Sequence, residues 1–125
     1  MLYDPVMRLP IGDVPLPVMY PATVHFATDH VPDLASAVED ALASGSILER
    51  IRPGMRVAVG VGSRGVAEIA AITRAAVAAL RRVGSEPFIV PAMGSHGGAT
   101  AEGQRGVLAE LGVTEETVGA PIRAS

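Results

Sequence analysis

The sequence contains no cysteine, no tryptophan and no lysine, and it has only two tyrosines and two phenylalanines. The absence of cysteine excludes a disulfide framework and a thiolate metal site within these residues. So few aromatic side chains leave little surface on which bases can stack, and a net charge of −3 provides no basic face. We therefore expect no nucleic-acid partner.

Long apolar runs are also missing. No stretch approaches the ~20 residues that a bilayer-spanning helix needs, and the first residues lack the basic and apolar blocks of a signal peptide. We therefore expect a cytoplasmic protein with no membrane partner. The composition is 49% hydrophobic and 18% charged, which is typical of a globular chain, and 125 residues suffice for one domain.

The chain divides at about residue 31 into a proline-rich segment and a segment with alternating strand and helix patterns. Residues 1–31 are predicted to be an extended, proline-rich segment because proline disrupts both helices and central strands. Within it, the alternation of residues 23–27 predicts a half-buried strand. Residues 32–125 are predicted to form an α/β domain. The prolines in question are Pro5, Pro10, Pro15, Pro17 and Pro21.

Strand and helix patterns alternate through residues 32–125. We predict a helix capped by Asp33, a buried parallel strand at residues 56–61, a helix at 67–83, a strand at 88–90 and a helix at 101–111. Ile122 is expected to start a further strand. This order predicts a parallel sheet with helices on both faces, as in a Rossmann-like N-terminal domain. We expect a longer protein whose C-terminal remainder is a partner of this domain.

Both predicted strands lead into glycine-rich turns, one at residues 60–65 and one at residues 94–100. The carboxyl ends of parallel strands emerge at the same edge of a sheet, which is where open α/β folds bind ligands. Arg64 and His96 are therefore expected to face one crevice, although 31 residues separate them in the chain. Gly94 is expected to let backbone N–H groups approach a ligand closely.

His96 is the leading catalytic candidate because an imidazole gives or takes a proton near neutral pH. Arg64 has a planar guanidinium that is suited to a carboxylate or a phosphate, and Ser63 and Ser95 offer hydroxyls to the same anion. The alternatives are a structural hydrogen-bonding role for His96 and a surface ion pair between Arg64 and Glu68.

Two other motifs point to different functions. The spacing Gly60-x-Gly62-x-x-Gly65 matches a dinucleotide-binding loop, but no acidic residue closes the next strand. His25 and His30 flank an aspartate and suggest a metal site, but a third good ligand is missing nearby. We therefore expect no metal ligand within this chain.

The pair of turns resembles the N-terminal domain of the nickel-pincer lactate racemase family, in a divergent, glycine-rich branch, through residues 59–65 (VGVGSRG) and 91–100 (PAMGSHGGAT). The resemblance runs from about residue 33 to the end of the chain. By this resemblance, Arg64 holds the substrate carboxylate and His96 is one of two acid/base groups beside the α-carbon. Val61 and Gly97 stand where the family has an aspartate and an arginine.

The resemblance implies racemisation or epimerisation of a small 2-hydroxy acid with a nickel-pincer nucleotide as cofactor. It implies that Gly97 and Gly98 lie beside the cofactor, whose anchoring lysine and nickel-binding histidine are expected outside this chain. A homo-oligomer is a further possibility. The alternative is a non-catalytic anion- or nucleotide-binding module that uses the two turns to hold phosphate.

Overall fold

The computed structural model describes residues 12, 15, 17–27 and 29–125. Six regular elements follow one another as a mixed α/β chain, with short 3-10 turns at Leu48–Arg50 and His96–Ala99. The elements are α1 (Leu34–Ser44), β1 (Arg56–Val61), α2 (Ile69–Arg82), β2 (Glu86–Pro91), α3 (Ala101–Glu110) and α4 (Glu115–Val118).

The two strands form a parallel pair in which Val59 lies opposite Ile89. Helix α2 connects them, so the predicted strand–helix–strand order is confirmed. The sheet continues beyond β2, because Ile89 also pairs in parallel with Ile122. In that pairing the Ile89 amide donates to the Pro121 carbonyl and the Arg123 amide donates to the Ile89 carbonyl, both at 2.8 Å.

One hydrophobic core holds the helices to the sheet. Ile89 and Leu108 have no exposed surface, and Val77 of α2 is 2% exposed. These side chains come from a strand and two helices, so burial of apolar surface, at roughly 25 cal/mol per Å², fixes α2 and α3 on the sheet. The remaining core residues are Val61, Met93, Val113, Val118, Ala120 and Ile122.

The other face of β1 is open in the described part of the chain. Val57, Val59 and Val61 point toward the core, whereas Arg56, Ala58 and Gly60 are exposed. The prediction of a β1 strand buried on both sides is therefore wrong. Its β-branched composition does not distinguish a strand covered on both faces from one whose outward positions carry small or charged side chains.

The described residues before α1 contain no helix or strand. The predicted strand at residues 23–27 is therefore wrong: all five residues are exposed, and they have no strand partner. Alternation alone does not create a strand without a neighbour to accept its hydrogen bonds. The proline-rich prediction for residues 1–11, 13, 14 and 16 lies outside the described residues.

The predicted cap of α1 is confirmed. The Ser36 amide donates to the Asp33 carboxylate at 3.0 Å, and the Ser36 hydroxyl donates to its other oxygen at 2.8 Å. These hydrogen bonds lower the pKa of the Asp33 carboxyl below its ordinary value. The cap therefore stabilises the helix while the carboxylate is charged, and this stabilisation is lost as the pH falls through the lowered pKa.

Candidate functional site

The two glycine-rich turns meet at the carboxyl edge of the sheet, as predicted. The last hydrogen bond of the ladder runs from the Ala92 amide to the Val61 carbonyl, at 2.8 Å. Just beyond it the chain leaves both strands, and an added Cβ at Gly62 would lie only 3.7 Å from the Ala92 carbonyl oxygen. The parallel register therefore brings residues 62–66 beside residues 92–96.

A cavity of about 510 Å³ lies between the turns. This volume falls within the roughly 300–1,000 Å³ of small-molecule sites. Four of the predicted site residues line it together: Ser63, Arg64, Gly94 and Ser95. The other lining residues are Gly62, Val66, Ala92 and Met93.

Backbone amides at this cavity are free to bind a ligand. Within the described residues, the N–H groups of Ser63, Arg64, Gly94 and Ser95 donate to no backbone or side-chain acceptor. Ser63 is half-buried, whereas Arg64, Gly94 and Ser95 are exposed, so their amides are open to water or to a ligand. Amides grouped in this way in a turn attract anions. Two such amides on each of two neighbouring turns favour a carboxylate or phosphate group in the cavity.

Arg64 adds a positive charge to the same cavity. The ion pairs of the described residues are Arg82–Glu39 and Arg105–Glu115, so the alternative pairing of Arg64 with Glu68 is wrong. Glu68 instead takes a left-handed backbone conformation, with φ of 54°, directly before α2. That conformation starts α2 at Ile69, two residues later than predicted, and Arg64 remains available for a bound anion.

His96 is held in the site by Ser63. The Ser63 Oγ lies 2.6 Å from the His96 Nδ1, which is a short hydrogen bond between half-buried side chains of the two turns. His96 is not itself among the residues that line the cavity, so its hydrogen bond to the lining residue Ser63 is what places the imidazole beside it. Sequence reasoning gave Ser63 a role in holding substrate and missed its contact with His96.

The second turn is tightly curled, with left-handed backbone at Gly97 (φ 62°), Gly98 (φ 67°) and Ala99 (φ 55°). Gly97 packs against α3, where an added Cβ would lie 2.5 Å from the Gln104 amide nitrogen. Neither Gly97 nor Gly98 is among the lining residues of the cavity. The close approach to α3 is therefore a structural reason for glycine at position 97.

Contacts with helix α3 hold this turn in place. Thr100 caps the helix, since its Oγ1 accepts from the Gly103 amide at 3.0 Å. The Gln104 side-chain amide donates to the Gly94 carbonyl at 2.8 Å. Sequence analysis missed Gln104, because a polar residue in the first turns of a helix gives no signal of a partner ten residues earlier.

The structure gives little support to the two competing motifs, the histidine pair and the dinucleotide-type glycine spacing. His25 and His30 are exposed, and the described residues contain no group of three or more histidine, aspartate or glutamate side chains placed to hold a metal. In the dinucleotide-type spacing, Gly60 lies within β1 and Gly65 lies four residues before α2 begins. In a dinucleotide-binding loop the helix opens within the glycine motif itself.

A comparison of the chain with family models, with curated proteins and with solved structures finds no match in any of the three. None of the helices in the described residues combines the length and the apolar character that crossing a bilayer requires. The fold and the site thus define a parallel α/β chain with a cavity at the carboxyl edge of its sheet, lined by one arginine and two serines. A histidine is held beside that cavity by a serine.

Proposed function

We propose that this chain supplies the substrate-carboxylate site and one acid/base group of a nickel-pincer-type 2-hydroxyacid racemase or epimerase. The observation that carries the proposal is the cavity between the two turns, which Arg64 and Ser63 line together and beside which Ser63 holds His96 by a hydrogen bond. Carboxylate binding and proton transfer at the adjacent carbon are the two tasks that such an isomerase requires of this half of its site.

The carboxylate is proposed to lie between the turns. The Arg64 guanidinium donates two parallel hydrogen bonds to its oxygens, and amides from both turns donate to the remaining lone pairs. Charged hydrogen bonds of this kind contribute roughly 1.5–3 kcal/mol each. Because the amides are fixed by β1 and β2, they need no rearrangement to receive the anion.

His96 is proposed to exchange a proton with the substrate hydroxyl. Its Nδ1 is engaged by Ser63, so Nε2 is the ring nitrogen left for the substrate. A positioned acid/base group of this type is worth about 10²–10⁴-fold in rate. The ring orientation is fixed by the Ser63 hydrogen bond, which leaves one nitrogen to do the chemistry.

The described residues do not themselves fit a nickel-pincer nucleotide. The chain has no lysine, and no group of three possible histidine or carboxylate ligands occurs in the described part. The anchoring residues therefore remain expected outside this chain, and the roles of Gly97 and Gly98 toward the cofactor remain predictions. No step through the cofactor is assigned to these residues.

The test is turnover of a 2-hydroxy acid such as L-lactate by the protein co-expressed with the pincer-making enzymes. We expect His96→Ala to reduce isomerisation by at least about 10²-fold while the nickel content stays unchanged. Ser46→Ala, a change far from the site on an exposed turn, is the matched control. Unchanged turnover in His96→Ala would contradict the proposed role of His96.

The free amides also support a second candidate, a non-catalytic module that binds phosphate or nucleotide between the turns. Titration of L-lactate, ATP and NAD separates the two functions. The racemase proposal expects saturable binding of the hydroxy acid that is weakened in Arg64→Ala. Saturable nucleotide binding that is lost in Arg64→Ala, with no binding of the hydroxy acid, would favour the module.

The proposal includes a Rossmann-like domain with helices on both faces. Its support is the parallel register of β1 and β2 together with the open outer face of β1, which further helices of the complete protein would cover. It also includes a cytoplasmic location, in keeping with the cysteine-free composition.

A further inference from the structure

The hydrogen bond between Ser63 and His96 has two possible directions, and they leave the imidazole in different states. A serine hydroxyl both donates and accepts, whereas a neutral imidazole has one nitrogen that donates and one that accepts. If Ser63 donates to Nδ1, the ring proton is on Nε2. If Nδ1 donates to Ser63 Oγ, then Nε2 carries the lone pair and accepts protons.

In the ligand-free protein the hydroxyl proton of Ser63 has one acceptor among the described residues, the Nδ1 of His96 at 2.6 Å. If the hydroxyl donates in this direction, the neutral ring has its proton on Nε2. In this state Nε2, the ring nitrogen not engaged by Ser63, is a donor and takes no proton from a substrate.

An anion in the cavity offers the same hydroxyl a stronger acceptor. Ser63 lines the cavity together with Arg64, so a carboxylate held by Arg64 lies within reach of Ser63 Oγ. Hydrogen bonds to a charged oxygen are roughly twice as strong as those between neutral groups. The hydroxyl then donates to the carboxylate, and its oxygen lone pair accepts from Nδ1–H.

We propose that Ser63 is a positioning residue that couples a carboxylate in the cavity to the tautomer of His96. When the anion binds, Nε2 gives its proton to water and Nδ1 takes a proton from water, so the charge of the ring is unchanged. Nε2 becomes a general base only when a carboxylate occupies the cavity. The inference rests on the proposed function for the nature of the anion and of the reaction.

The two turns are suited to this coupling because each side chain is held by its own strand. Ser63 follows β1 by two residues, and His96 lies in the 3-10 turn after β2, where its amide donates to the Met93 carbonyl at 3.3 Å. Neither side chain needs to move for the hydrogen bond to reverse, because the hydroxyl proton rotates and the ring proton exchanges through water.

The test is ¹⁵N NMR of the histidine ring nitrogens, recorded on the whole chain at a pH at which the rings are neutral. Without ligand, we expect His96 to carry its proton mainly on Nε2. With saturating L-lactate, we expect the proton mainly on Nδ1. His25 and His30, which are exposed, serve as internal references whose tautomers stay unchanged.

Substitutions at two serines complete the experiment. In Ser63→Ala the tautomer of His96 should no longer respond to L-lactate, whereas Ser63→Thr, which keeps the hydroxyl, should restore the response. Ser46→Ala is the control, because Ser46 lies on an exposed turn and does not line the cavity. In this variant the tautomer of His96 should respond to L-lactate as in the unchanged protein.

The outcomes separate this inference from the proposed function. If backbone amides at the cavity respond to L-lactate but the tautomer of His96 does not, the coupling is overturned and the carboxylate site stands. A tautomer change that persists in Ser63→Ala also overturns the coupling. If L-lactate does not bind at all, both the carboxylate site and the coupling are wrong.

Discussion

The two edges of the sheet both carry arginine, but they differ in what surrounds the charge. At the carboxyl edge one guanidinium, that of Arg64, shares a cavity of about 510 Å³ with unpartnered amides and serine hydroxyls. At the amino edge three guanidiniums line a smaller cavity of about 230 Å³, those of Arg56, Arg81 and Arg123. The amino edge therefore has more positive charge but fewer unpartnered hydrogen-bonding groups for a ligand.

Several groups of the amino edge are already engaged. Arg56 and Arg123 lie over the Phe88 ring, with their guanidinium carbons 5.5 Å and 4.9 Å from its centroid. The Ser85 hydroxyl donates to a helix carbonyl at 2.8 Å, and the Glu86 amide donates to the Met55 carbonyl at 2.8 Å. The Glu86 side chain also contributes a negative charge to that cavity.

The comparison teaches that positive charge alone does not make an anion site. A small acid also needs fixed donors that have no partner in the protein, and these are found where two parallel strands end in turns that leave the ladder. The predictions below alter one edge and use the other, or a neighbouring residue, as the reference.

The largest effect is expected from Gly97→Ala, which disrupts the packing of the second turn against α3 at the carboxyl edge. The new Cβ would overlap the backbone of α3, and the left-handed φ of 62° adds strain. We expect a loss of about 3 kcal/mol or more in the free energy of unfolding, measured by urea denaturation.

Gly98→Ala is the matched control for this prediction. Gly98 has a similar φ of 67°, but an added Cβ meets nothing within 4 Å. Its cost should be limited to backbone strain, about 1–2 kcal/mol. Equal losses in the two variants would show that contact with α3 does not hold the second turn in place.

A smaller effect is expected when the charge is removed from each edge in turn. Arg64→Gln should weaken L-lactate binding about tenfold or more, because charged hydrogen bonds to the carboxylate contribute roughly 1.5–3 kcal/mol. Arg123→Gln removes the same charge from the amino edge and should leave the affinity within about twofold. The measurement is isothermal titration calorimetry at one ionic strength, and a greater loss in Arg123→Gln would reverse the assignment of the two edges.

The smallest effect is expected at the amino edge itself. Phe88→Leu removes the ring that Arg56 and Arg123 cover, and exposed cation–π contacts contribute about 0.5–1 kcal/mol each. We expect a loss of about 1 kcal/mol in stability, seen as a lower Tm, with unchanged L-lactate affinity. A change in that affinity would mean that the amino edge takes part in binding.

Much of the fold and of the site was predictable because local signals were strong. The cap at Asp33 is formed as predicted. The meeting of the two turns follows from the parallel order of the strands, which is a property of the chain's topology and needs no side-chain detail. That order was sufficient to place Arg64 and Ser95 at one cavity.

The missed features depend on partners that are distant in the chain. The short contact between Ser63 and His96 links residues 33 positions apart, and Gln104 reaches back ten positions to Gly94. Alternation in residues 23–27 was misleading because a strand exists only beside another strand. Side-chain direction and pairing of this kind are set by tertiary packing, which periodicity does not encode.

The central claim is that a small carboxylate binds between the two turns at the carboxyl edge. Titration of the ¹⁵N-labelled chain with L-lactate, followed by amide NMR, tests it most directly. The account predicts saturable shifts concentrated at the amides of Ser63, Arg64, Gly94 and Ser95, with the amino-edge amides of Ser85 and Glu86 unmoved. Shifts confined to the amino edge would contradict it, and so would the absence of any shift up to the highest L-lactate concentration.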